Sequence, residues 1–136
     1  MIMQVNSRRK GEKMRLVWDK DISEMTVTTR SQAVAEMLAI DCTRAGAEIM
    51  ADKMLFKVVK VNELDTRAAN LLKQAFLAKG GEVAVSRDSC NLAAATTDCL
   101  IMATVAQIKA VVPKLKMQPW GLKDLAVKLE ELLETV

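Results

Sequence analysis

Residues 55–87 constrain the fold more than any other stretch of this chain. LFKVVKV reads as a strand, LDTRAANLLKQAFLAKG as a helix, and GEVAVSR as a second strand. Within the helical part, Leu64, Ala68, Leu71, Leu72 and Ala75 recur at the three-and-four spacing of a buried face, with Arg67, Asn70, Lys73 and Gln74 turned the other way. Asp65 stands where an N-cap belongs, its carboxylate placed to accept from free N–H groups of the first turn. Gly80 and Gly81 close the helix, because a left-handed cap costs glycine little. The first strand alternates incompletely, as a strand covered on both sides does. In the second, Val83 and Val85 alternate with Glu82, Ala84 and Ser86. A β-α-β unit of this size predicts parallel strands and a right-handed crossover.

The flanking segments read as additions that complete and cover this unit. MRLVWDK (Met14–Lys20) has the alternation of a short edge strand, with Leu16 and Trp18 on one face and Arg15, Val17 and Asp19 on the other. Thr29 and Gln32 have capping-box spacing, which predicts a helix whose buried stripe is Ala33, Val34, Met37 and Leu38. Residues 41–53 are less regular; Gly46 is expected to interrupt a helix there, leaving a short second helix or an irregular approach to the strand. After the β-α-β unit, SRDSCNLAAATTD is a loop longer than a tight hairpin needs, and DCLIMA is a buried strand. Thr104 and Gln107 repeat the capping box, with Val105, Ile108, Val111 and Val112 behind it. Pro113 is expected to kink or end that helix. Past the MQPWG turn, Leu122, Leu125, Ala126, Leu129, Leu132 and Leu133 form a further apolar stripe.

The order is therefore β-α-β-α-β-β-α-α. It predicts an α+β fold: a mixed four-stranded sheet with helices mainly on one face, a ferredoxin-like sandwich, with a three-layer α/β arrangement as the alternative. Residues 1–13 are expected to be a disordered basic leader and residues 14–136 a single domain. With only two Trp, two Phe and no Tyr, the core must be aliphatic, and nine Met make part of it adaptable.

Charge and residue types narrow the chemistry. The net charge of +3 lies wholly before Met14, where Arg8, Arg9, Lys10 and Lys13 outweigh Glu12; sixteen residues of each sign follow. A neutral body has no surplus from which to build a basic face, so nucleic acid is not expected as a partner. No apolar run reaches the ~18 residues of a membrane span, so no membrane association is expected. Cys42, Cys90 and Cys99 match no zinc spacing and no C-x-x-C pair; three unpaired thiols fit a reducing cytoplasm. The absence of His removes the commonest general base and the commonest metal ligand. The Gly pair follows a helix, whereas a phosphate-cradling loop precedes one. Glu130, Glu131 and Glu134 read as a solvated charged face. No catalytic residue, metal or cofactor is expected. The remaining constellation gathers Lys57, Lys60, Arg67, Asn70, Lys73 and Arg87. Of these, Arg67 and Asn70 near a helix N-terminus, with Lys57 or Arg87 reaching over, are the candidate ligand-binding residues for a small phosphorylated or carboxylated anion. The alternative is an exposed face that serves solubility.

RAANLLKQ, AKGGEVAVSR, TTDCLIM and QPWGL, within a stretch from about Glu36 to Leu133, resemble the N-terminal, non-barrel domain of the dihydropteroate synthases of anaerobic bacteria. That family's enzyme joins a pterin diphosphate to p-aminobenzoate in folate synthesis, or acts on pterins in related methyl transfer. The resemblance implies an accessory domain, non-catalytic by itself, docking on a pterin-binding barrel protein or on a second copy. None of the family's catalytic residues carries over, because they belong to a (β/α)₈ barrel of ~250 residues that this chain does not contain. The alternative function is a stand-alone anion-binding or regulatory α+β domain.

Overall fold

The computed structural model describes residues 19–89 and 91–136. Eight elements follow in order: α1 (Arg30–Ala39), α2 (Arg44–Met54), β1 (Phe56–Asp65), α3 (Thr66–Leu77), β2 (Glu82–Val85), β3 (Thr96–Thr104), α4 (Val105–Leu115) and α5 (Leu122–Leu133). The fold class is α+β. The described sheet has three strands in the order β1-β3-β2, and both pairings are antiparallel. β1 and β2 therefore run in the same direction, as the β-α-β pattern predicts, but they are not neighbours. β3 inserts between them, pairing Val59 with Ile101 on one side and Val83 with Ile101 on the other. The strand expected over Met14–Lys20 lies outside the described residues apart from Asp19 and Lys20, which are not in a strand. The leader expected over residues 1–13 also lies outside them.

Local chemistry accounts for the helix boundaries. Both capping boxes form. Gln32 N–H donates to Thr29 Oγ1 at 3.2 Å while Thr29 N–H donates to Gln32 Oε1 at 3.1 Å, and Thr104 and Gln107 repeat the exchange at 3.1 and 2.8 Å. Gly46 does not interrupt a helix. It lies in the first turn of α2, its N–H donating to the N-cap Thr43 Oγ1 at 3.1 Å, and a Cβ there would stand only 2.9 Å from that oxygen. At the other end of α3, Gly80 takes φ +84° and Gly81 N–H returns to Phe76 O at 2.9 Å, the left-handed cap that the Gly pair predicts. Pro113 sits in the last turn of α4, which ends at Leu115.

The helices cover one face of the sheet. Val83, Cys99, Ile101 and Ala103 pack against Ala68, Leu72 and Phe76 of α3, Ile108, Val111 and Leu115 of α4, and Leu122, Ala126 and Leu129 of α5. A second, smaller cluster joins α1 and α2 through Ala33, Val34, Met37, Ala47 and Ala51. Asp52 fastens this pair to the rest: its carboxylate accepts from Arg30 of α1 at 2.5 Å and from Lys109 of α4 at 2.7 Å. No described element covers the other face of the sheet, which corrects the expectation that β1 is covered on both sides. Phe56 is 60% exposed and Val58 62%. Among the described residues, helices stand on one side of the sheet only, so the incomplete alternation of LFKVVKV marks an exposed apolar face rather than a doubly buried strand. Leu132 also departs from its expected place in the α5 stripe: it is half exposed, beside β1 rather than under the sheet.

Candidate functional site

One end of the domain gathers the end of β1, the start of α3, the loop 86–95 and the α4–α5 turn. Here Asp65 is both the last residue of β1 and the N-cap of α3. Its Oδ1 accepts from the Arg67 backbone N–H at 2.8 Å and from Arg67 Nε at 3.1 Å, and its Oδ2 accepts from Arg67 Nη2 at 2.8 Å. The side-chain hydrogen bonds from Arg67, with the backbone N–H second, hold the Asp65 carboxyl down at about 2. The same hydrogen bonds push the Arg67 guanidinium up. The guanidinium carbon also lies 4.6 Å from the centre of the Trp120 ring, a cation–π distance. Trp120 and Gly121 are both left-handed, at φ +61° and +87°, and this pair swings the chain into α5 while setting the indole over Arg67. Arg67 is thus held by a carboxylate on one side and an aromatic ring on another.

Asn70, one turn along α3, donates from Nδ2 to the carbonyl of Ser89 at 3.0 Å. Ser89 is buried and its hydroxyl donates to Ser86 O at 2.6 Å, so α3 and its own hydroxyl pin the loop after β2. Arg87 lies exposed in that loop, two positions from Asn70's partner, and forms no ion pair among the described residues. Lys73 bridges from α3 to β2, donating to Glu82 Oε1 at 3.0 Å and to Val83 O at 2.8 Å; that hydrogen bond is the first cause of the lowered Glu82 carboxyl. Lys57 is elsewhere. It pairs with Ala103 at the start of β1, whereas Asp65 pairs with Thr96 at the far end of the same strand. The structure therefore brings Arg67, Asn70 and Arg87 to one end and leaves Lys57 at the other, a correction that follows from the length of β1. An anion reaching Arg67 would have to displace Asp65.

Two features lay beyond the reach of sequence spacing. Trp120 is far from Arg67 along the chain, and only its place in a Pro-Trp-Gly turn hinted at a special role. The open sheet face combines Phe56 and Val58 of β1 with Leu100, 41% exposed, and Met102 of β3, in one continuous apolar strip. Lys60, Glu82 and Asp98 border it. Among the described residues no group of three or more His, Cys, Asp or Glu is placed to hold a metal, and no helix is long and apolar enough to cross a membrane. Cys99 is a buried hydrophobe whose thiol burial pushes up.

The chain is similar to part of a probable bifunctional folylpolyglutamate synthase/dihydropteroate synthase of Halobacterium salinarum, 34% identical over 116 residues. The match takes in 85% of this chain but only 14% of that protein's length. No protein-family model matches the chain, and no solved structure does. The similarity ties the domain to a stretch of a folate-related protein.

Proposed function

We propose that this domain is a non-catalytic accessory module of folate-related chemistry, which acts by docking on a pterin-binding barrel protein. The similarity to a short stretch of the archaeal bifunctional protein carries this reading. Two structural observations support it. The polar side chains best placed for chemistry, Asp65, Arg67 and Asn70, are engaged with each other or with backbone. The strip of Phe56, Val58, Leu100 and Met102 offers an apolar surface with a polar border, the usual anatomy of a docking face.

Two measurements test the reading. The purified domain, free of host synthase, is expected to form no dihydropteroate from pterin diphosphate and p-aminobenzoate; turnover would overturn its non-catalytic character. Mixed with a dihydropteroate synthase barrel from the same source, it is expected to co-elute in size-exclusion chromatography. Elution of the two as separate peaks would remove the docking role, and a homodimer without the barrel would reassign the face to self-association.

A further inference from the structure

β2 is hydrogen-bonded to β3 along one of its sides. Successive residues of a strand send their backbone N–H and C=O alternately to its two sides. Val83 sends both away from β3, and each meets a side chain there. Its N–H donates to Glu82 Oε1 at 2.9 Å, and its C=O accepts from Lys73 Nζ at 2.8 Å. Lys73 Nζ also donates to the same Glu82 oxygen at 3.0 Å, which closes the circuit. A neighbouring strand would offer Val83 the same acceptor and the same donor. The two side chains thus stand where the backbone of an added strand would lie. Helix α3 sets this up: Leu72 and Phe76 anchor it in the core, and Lys73 is left at its margin, within reach of β2.

The arrangement has a physical motive. The outer side of a strand is a template for pairing with another chain, and charged side chains placed along it are a means of blocking that. β2 suits a second copy of itself in particular. Val85, two residues on, sends its backbone groups to the same side as Val83. Two copies related by a two-fold axis at Ala84 would run antiparallel and set Val83 of one opposite Val85 of the other. Glu82 would then fall opposite Ser86, so no like charges would meet.

We propose that Lys73 and Glu82 form a plug that keeps β2 from pairing edge to edge with β2 of a second copy. Both its donor and its acceptor are in use, whereas an ordinary surface ion pair needs only two opposite charges. The plug sits at the side of the sheet, so the inference holds whatever docks on the apolar strip.

The test uses the full chain and exploits that difference. Lys73→Glu combined with Glu82→Lys keeps two opposite charges but exchanges donor and acceptor, so an ion pair survives and the plug does not. In dilute solution the Val83 amide of this variant is expected to exchange about fivefold faster than in the unaltered chain, as one lost hydrogen bond implies. Between micromolar and millimolar concentration, sedimentation velocity is expected to show dimers that the unaltered chain does not form, with the amides of Val83 and Val85 becoming protected together. Lys73→Met removes the donor alone and leaves a good helix former in α3, so it serves if the exchanged pair does not fold; it is expected to associate in the same way. Variants that associate no more than the unaltered chain would reduce Lys73–Glu82 to a surface ion pair, and the proposal would fall. Association without protection at Val83 and Val85 would place the contact on another surface and overturn it as well. So would an unaltered chain whose Val85 amide gains protection as concentration rises, because the plug would then not be closing the edge.

Discussion

Asp65 serves two roles with one carboxylate, capping α3 and neutralising Arg67, and the consequence is a pH dependence of definite sign. Its carboxyl is held at about 2, below the ordinary value of 3.8. A depressed carboxyl stabilises the fold fully above its unfolded value, and that stability is lost as pH falls toward the folded one. Asp65→Asn is therefore expected to lower the melting temperature at pH 7, and the gap from wild type should close between about pH 4 and pH 2. A gap that persists at pH 2 would mean that the carboxylate's charge is not what matters. Burial gives a second contrast. Leu129 is 1% exposed and Leu132 50%, though both fall on the same sequence stripe. Leu129→Ala should cost about 2–5 kcal/mol in urea unfolding, as a large-to-small core change does. Leu132→Ala should cost clearly less, and equal losses would mean that Leu132 is as deeply packed. The caps at Thr29, Asp65 and Thr104 were legible in the sequence because donor and acceptor lie within one turn. The Trp120 face over Arg67 was not, because it depends on a turn that brings distant segments together.

Among the elements, β1 departs furthest from its sequence pattern. It extends past Val61 to Asp65 through an irregularity between Val61 and Leu64. Glu63 there takes φ +54°, and Asp98 of β3 accepts its N–H at 2.9 Å. The side chain on the neighbouring strand satisfies the donor that the bulge removes from the ladder. Such a bulge leaves no mark in hydrophobic alternation, so the strand reads as ending where its regular pairing ends. The α3–β2 turn is the opposite case: Gly80 is required by its φ of +84°, and two glycines after a helix announce it. Gly80→Ala should destabilise by about 1–2 kcal/mol, measurable by chemical denaturation. No loss would show that the turn relaxes to a right-handed cap. Gly46 shows the limit of the same rule, since a glycine in a first turn breaks nothing and leaves room for a cap.

For the whole molecule, the α+β class and the covering of one sheet face follow from the periodicities of α3, α4 and α5. The strand order does not, because pattern alone does not tell whether β3 flanks the β-α-β unit or splits it. The open face yields a prediction tied to docking. Val58→Glu should shift folding stability by no more than about 0.5 kcal/mol, as substitutions at exposed positions do, while weakening co-elution with the barrel. Unimpaired co-elution would move the docking surface off this strip.

Placing the last-made strand in the middle of the sheet fixes when the domain is able to assemble. As the chain emerges from the ribosome, β1 and β2 have no hydrogen-bonding neighbour in the described sheet until residues 96–104 follow. Phe56 and Val58 wait beside them, exposed. Pairing β1 with β3 then closes a loop with α3 and β2 inside it, a non-local step that slows folding relative to a hairpin meander. The two capping boxes and the Gly80 turn form early and locally. The sheet closes late and in one event, and during that interval the nascent chain is most exposed to aggregation and most in need of a chaperone.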